Sequence, residues 1–206
     1  MPKAVVFDLG KVLVDFDYGI AGRRIAARGG ADPEAVRSFI DHSPVLFRFE
    51  TGRMTRRQFF EEVRVATGFA GTIEEFSAYF ADIFTPIEPM VQFHERLRRA
   101  GIPTYVFSNT NELAVGHIRR NFLFFSEFDG YILSYEHGAM KPDPALYEVV
   151  EARTGCRGNE LFYIDDRPEN VATARERGWL AVVHLDPGET QRAWEEVSGP
   201  GRGGTE

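Results

Sequence analysis

An aspartate, Asp8, ends the first apolar run of the chain, Ala4-Val5-Val6-Phe7. A second run is followed by Ser108-Asn109-Thr110, and a later one ends in the adjacent pair Asp165-Asp166. Lys141 stands after another such run, in the loop Gly138-Ala139-Met140-Lys141-Pro142-Asp143-Pro144. Taken singly, each has an ordinary explanation. An aspartate after a strand forms turns or caps helices, and Ser-Asn-Thr is good capping sequence. The adjacent pair resists that account, because neighbouring carboxylates repel and need a cation or strong donors. Together the residues suit phosphoryl chemistry. Clustered carboxylates fit Mg²⁺, a hard cation that takes oxygen ligands and keeps waters. Such an ion would let Asp8 approach an anionic phosphoryl group. Ser108, Asn109 and Lys141 would hold the remaining phosphoryl oxygens by position and charge. A carboxylate nucleophile divides hydrolysis into two easier steps through a phosphoaspartate.

These residues must be brought together by the elements that carry them. Short apolar runs at 4–7, 103–107, 130–133, 161–164 and 180–185 read as buried strands. Helical patterns at 90–100, 111–121, 144–154 and 168–177 lie between them, with Gly101, Gly155 and Gly178 as stop signals. Strands alternating with helices imply right-handed βαβ units, an α/β fold whose parallel sheet is covered on both faces. In such a sheet ligands bind beyond the carboxyl ends of the strands. That edge is where the residues above fall.

The stretch 17–86 breaks the rhythm, with helical periodicity and no convincing strand. Its many phenylalanines, from Phe39 to Phe84, read as the packed core of a small helical insertion. The expected organisation is therefore a core from 1–16 and 87–187, an inserted helical unit at 17–86, and a polar, Gly-rich flexible tail at 188–206.

Composition removes other classes. The formal charge of -7 argues against a nucleic-acid surface, which needs Lys and Arg. Apolar runs fall short of the roughly 20 residues that cross a bilayer. Met1-Pro2-Lys3 leads straight into the first strand with no signal peptide, and Cys156 is the single cysteine. A reducing cytoplasm is the expected location. His94, His117, His137 and His184 show no zinc-like spacing.

The four segments resemble, in order, the motifs of the haloacid dehalogenase superfamily. Phe7-Asp8-Leu9-Gly10-Lys11-Val12-Leu13 is similar to the first motif, Ser108-Asn109-Thr110 to the second and Lys141-Pro142-Asp143 to the third. Phe162-Tyr163-Ile164-Asp165-Asp166-Arg167-Pro168-Glu169-Asn170 is similar to the fourth. The likeness spans residues 3–186, and Leu133-Ser134-Tyr135-Glu136-His137-Gly138 resembles the branch that includes bacterial α-D-glucose-1-phosphate phosphatases. It implies a Rossmann-like core with a helical cap and a Mg²⁺-dependent phosphatase acting on a small phosphorylated metabolite, with a sugar phosphate foremost. Asp8 would be the nucleophile, and Asp8, the Gly10 carbonyl and Asp166 metal ligands, with Asp165 acting through water. Ser108 and Asn109 would bind phosphate, Lys141 would steady the phosphate and Asp8, and Asn170 would order the last loop.

One position departs from the superfamily's usual pattern. Most of its phosphatases carry a second aspartate two residues after the nucleophile, as acid and base; here that position is Gly10. Asp15, Asp17 or His42 could substitute, though capping or surface roles explain each. Two other readings follow from Gly10: a metal-independent 2-haloacid dehalogenase, or a phosphate-binding protein without catalysis. The first leaves Asp165-Asp166 a repulsive cost with no purpose, and the second leaves Asp8 and Lys141 unexplained.

Overall fold

The unbroken apolar run at 4–7 presents buried side chains to both faces of its strand, as at the centre of a sheet covered on both sides. The structure, a computed structural model, describes residues 1–41 and 43–199. Its strands, numbered in chain order, are β1 (Ala4–Phe7), β2 (Val14–Phe16), β3 (Phe84–Pro86), β4 (Thr104–Ser108), β5 (Gly130–Leu133), β6 (Leu161–Asp165) and β7 (Leu180–Val183). Five of them form a parallel sheet in the order β5-β4-β1-β6-β7. Val5 and Phe7 of β1 enter one apolar layer with Phe93, Leu97 and Trp194, while Ala4 and Val6 enter the other with Tyr147, Val171 and Trp179. Burying each such large side chain stabilises the fold by about 1.5–3 kcal/mol.

The covering helices are α6 (Glu88–Arg99), α7 (Glu112–Asn121), the short α8 (Ser134–His137), α9 (Pro144–Thr154), α10 (Pro168–Glu176) and α11 (Pro187–Ser198). From β1 the chain builds outward to β4 and β5, then returns to add β6 and β7 on the other side. The strand order thus reverses at β1, where a crevice opens at the carboxyl ends. Asp8 follows β1, while Ser108 and Asp165 end its two neighbours β4 and β6.

Between β2 and β3 lies a helical cap: α1 (Tyr18–Gly29), α2 (Pro33–Ile40), α3 (Pro44–Glu50), α4 (Arg56–Thr67) and α5 (Ile73–Ala81). Side chains of Asp17, Asp32, Ser43, Thr55 and Thr72 accept from the first-turn amides of these helices. Phe49, Phe59, Phe76 and Phe80 stack at their centre, with Phe49 and Phe59 rings 4.4 Å apart. Phe47 differs from the expected packed set: it is 46% exposed, beneath the Arg53 guanidinium.

Two expectations need correction. The stretch 17–86 does contain a strand, since β3 pairs antiparallel with β2 and Phe16 opposes Phe84. Three-residue strands ending in a proline carry too little periodicity to read, and only pairing makes them strands. Residues 188–198 are not a flexible tail but most of α11, with Trp194 buried against Phe162 at 5.3 Å. Asp186 accepts from the Gly188 and Glu189 amides and Pro187 takes the first helical position, a start signal that the glycine-rich composition concealed. Residues 200–206 lie outside the described residues. No helix among the described residues is long and apolar enough to cross a membrane.

Candidate active site

Lys141 organises the crevice. Its Nζ lies 3.0 Å from Asp8 Oδ1 and 2.6 Å from Asp165 Oδ2, and donates to the Phe107 carbonyl at 2.8 Å. The loop that carries it is fixed by Asn109. That side chain accepts the Lys141 N–H at 2.7 Å and donates to the Lys141 carbonyl at 3.0 Å. Asn109 therefore sets the position of the lysine as well as lining the cavity. Ser108 is buried at the end of β4, its hydroxyl 3.3 Å from the Asn109 carbonyl, and is not among the residues lining the cavity.

The two later aspartates divide their roles. Asp165 is fully buried and accepts from Lys141, from Tyr163 Oη, from Asn170 Nδ2 at 2.9 Å and from the Arg167 N–H at 2.8 Å. A carboxylate offers about four lone-pair directions, so Asp165 is fully committed to protein donors. Asp166 faces the cavity alongside Asp8. Oxygens of Asp8, Asp165 and Asp166 lie within 4.8 Å of one another. That all-oxygen set fits a hard divalent cation.

Charge is out of balance among these groups. Two buried carboxylates, Asp8 and Asp165, flank one ammonium, and the half-buried Asp166 adds a third negative charge nearby. Burial works against the Lys141 ammonium, but Asp165 and Asp8 outweigh it and hold its pKa above the ordinary value. Burial also opposes ionisation of Asp165, yet Lys141, Tyr163 and the Arg167 amide keep its pKa low. Asp8 is pushed up to about 8, first by burial, with Lys141 pulling it down and Asp165 and Asp166 pushing it further up. Asp166 is raised by burial and by Asp165. Without a further cation, Asp8 is the group that keeps the proton.

Asp8, Asn109, Lys141 and Asp166 line a cavity of about 560 Å³ between core and cap, within the usual range for small-molecule sites. A larger cleft of about 950 Å³ between α5 and α7, lined by Arg24, Asp82, His117 and Arg120 among others, has no lysine among its lining residues.

Residues 2–178 match the haloacid dehalogenase-like hydrolase family. The chain belongs to that family. Among its relatives, D-ribitol-5-phosphate phosphatase of Bacteroides thetaiotaomicron is 24% identical, over 87% of this chain and 90% of that protein. The mouse acyl-CoA dehydrogenase family member 10 is 28% identical over 91% of this chain, which spans only 18% of that protein. In fold, a haloacid dehalogenase family enzyme of Bacteroides thetaiotaomicron, solved in complex with magnesium and inorganic phosphate, superposes with a TM-score of 0.79. That likeness covers 90% of this chain and 97% of the other, at 22% identity.

The site also explains how the family's usual second aspartate is accommodated as glycine. A Cβ on Gly10 would stand 2.9 Å from Phe16 Cε1, so the Phe16 ring fills the space of the missing side chain. Lys11, at φ 59, turns the loop sharply and donates its N–H to the Val14 carbonyl at 2.7 Å. Gly10→Asp is expected to destabilise the fold by about 1–3 kcal/mol through overpacking. Adding Phe16→Ala should recover part of that loss, read as a positive coupling in a double-mutant denaturation cycle.

Of the candidate substitutes for the missing acid, Asp15 is held by Lys11, and Asp17 caps α1 while lining the cavity. His42 lies outside the described residues. Two contributors escaped the sequence reading. Tyr163 sits two residues before Asp165 on β6, a spacing that places both on one face. Glu50, from the cap, lines the cavity, and burial raises its pKa to about 7. No sequence pattern marks it.

Proposed function

We propose that this protein is a magnesium-dependent phosphatase acting on a small phosphorylated metabolite, a sugar phosphate foremost, through a phosphoaspartate on Asp8. The observation that carries this reading is Asp8 facing the cavity beside Asp166, with Lys141 bridging Asp8 to a fully committed Asp165. Asp8, Asp166 and the Gly10 carbonyl would hold the ion. When bound, it supplies positive charge that lets Asp8 ionise and an anionic phosphoryl group come near.

The chain's own residues then act in sequence. An Asp8 carboxylate oxygen attacks phosphorus, and the leaving oxygen departs with the bonding pair and takes a proton from water. Lys141 steadies the phosphoryl oxygens and keeps Asp8 oriented, with Asn109 holding the lysine loop. Water then attacks the phosphoaspartate, releasing inorganic phosphate and restoring Asp8. With glycine at position 10 and Phe16 against it, no acid stands at the family's usual place, so esters with acidic leaving oxygens should react fastest. An anomeric phosphate has such an oxygen.

The test is a phosphate-release panel with Mg²⁺ and with chelator, spanning α-D-glucose 1-phosphate, alditol phosphates and aryl phosphate. Metal-dependent release supports the reading. Halide release from 2-haloacids in chelator, or phosphate binding with no turnover of any ester, would overturn it.

Metal affinity should also depend on pH. Because Asp8 keeps a proton up to about 8 in the metal-free protein, Mg²⁺ binding at pH 7 should release about one proton. Affinity is then expected to rise about tenfold per pH unit from 6 toward 8. Calorimetry in buffers of different ionisation heat measures the proton count, and a count of zero would contradict it.

A further inference from the structure

Glu50 ends α3 on the cap side of the cavity, and its place is fixed from the core. The Ser134 hydroxyl, which accepts the Thr110 N–H at 2.9 Å, donates to the Glu50 carbonyl at 2.6 Å. Two residues later Gly52, at φ 66, passes so close to Tyr135 that a Cβ would lie 2.2 Å from the Tyr135 carbonyl oxygen. Only glycine permits that approach. The end of α3 is thereby fastened beside the Ser108-Asn109-Thr110 turn, and the Glu50 carboxyl is positioned relative to Asp8 by the core itself.

Around that carboxyl the wall is polar. The Asn111 amide stands beside it, Asp41 and Arg167 act on it electrostatically, and Tyr18 and Arg37 line the same cavity. Tyr18 keeps its proton because burial, then Glu50 and Asp41, hold its pKa well above the ordinary value. Its hydroxyl remains a donor. Phe16, Leu46 and Met140 supply apolar surface elsewhere in the same cavity. A leaving group without hydroxyls would press apolar surface against the half-buried carboxyl, at the cost of its solvation.

We propose that Glu50 is a specificity-determining residue that accepts a hydroxyl of the leaving alcohol, so that the site selects phosphate esters of polyhydroxylated alcohols. The inference rests on the phosphatase reading above. At pH 8, above its raised pKa of about 7, the carboxyl is charged. A hydrogen bond to a charged group is worth more than a neutral one, and its removal there should cost roughly 10–100-fold in transition-state binding.

The test compares wild type, Glu50→Leu and Glu50→Gln on ribitol 5-phosphate, α-D-glucose 1-phosphate and p-nitrophenyl phosphate, all with Mg²⁺ at pH 8. For Glu50→Leu, kcat/KM on the polyol esters relative to the aryl ester should fall about 10–100-fold, mainly through KM. Glu50→Gln, which keeps an acceptor and nearly the same shape, should lose only a few-fold of that ratio by the same reasoning. It reads the same ratio should the leucine variant not fold. An equal fall on all esters, an unchanged ratio, or a loss confined to kcat would overturn the proposal. So would wild type that turns over only the aryl ester in an Asp8-dependent manner, and that result leaves the phosphatase reading standing. Release from no ester at all overturns both.

Discussion

Asp8→Asn is expected to lower phosphate release by on the order of 10⁴-fold or more while keeping the fold, since the covalent bond would form on the Asp8 carboxylate itself. The wild-type protein, acid-quenched during turnover of labelled substrate, should carry base-labile phosphate; the variant should carry none. Turnover that survives the substitution would eliminate the phosphoaspartate. Stability should move the other way. The Asp8 carboxyl is ionised above pH about 4 in the unfolded chain, but keeps its proton to about 8 when buried in the folded protein. Between those values the native state binds the extra proton, so metal-free wild type loses stability as pH rises. Asparagine has no such titration. In chelator, the melting temperature of Asp8→Asn relative to wild type should therefore climb from pH 5 to pH 8.

Lys141→Met should be the most damaging single change to stability. The lysine side chain is 1% exposed and is the cation between Asp8 and Asp165. Methionine matches much of its volume but leaves Asp165 in a fully buried site without its countercharge. Breaking such a pair costs about 3–5 kcal/mol, and removing the positive charge from the phosphoryl position should cost about 10²–10³-fold or more in turnover. The pH dependence identifies the cause. In wild type Asp165 is held low, so its contribution is present above the ordinary carboxylate pKa and lost only as pH falls through its depressed value. In the variant, burial is no longer opposed by the ammonium, and its pKa should rise. Protonation then relieves the strain, so the deficit measured by urea denaturation in chelator should shrink from pH 8 to pH 5.5. A deficit constant across that range would point to lost packing instead.

Asp8 and Lys141 are both readable from sequence, and the reason is local. Asp8, Ser108 and Asp165-Asp166 each follow or end a continuous apolar run, and β-branched and aromatic runs of that length specify buried strands whatever surrounds them. β1 and β5 begin and end where their sequence patterns do, and α9 runs between Pro144 and Gly155 as its punctuation implies. Once parallel strands are inferred, their carboxyl ends share an edge by geometry. The helical insertion was legible for the same reason, through a periodicity that persists across several turns.

What sequence concealed was set by pairing and approach between distant segments. β2 and β3 exist because Phe16 meets Phe84, and neither strand is long enough to declare itself. Residues 188–198 read as a tail until Trp194 finds Phe162 across the core. Asn109 looks like a phosphate ligand in sequence, but its amide is engaged with the Lys141 backbone 32 positions away.

For this chain, then, sequence alone picked out Asp8, Lys141, the acidic pair and the edge on which they meet. Strand and helix periods are local properties, and strand ends carry their residues with them. Tertiary structure decided which carboxylate is already satisfied, that Phe16 occupies the space beside Gly10, and that Glu50 lines the same cavity as Asp8. Each of those depends on the separation of segments tens of residues apart, a quantity that no local pattern encodes.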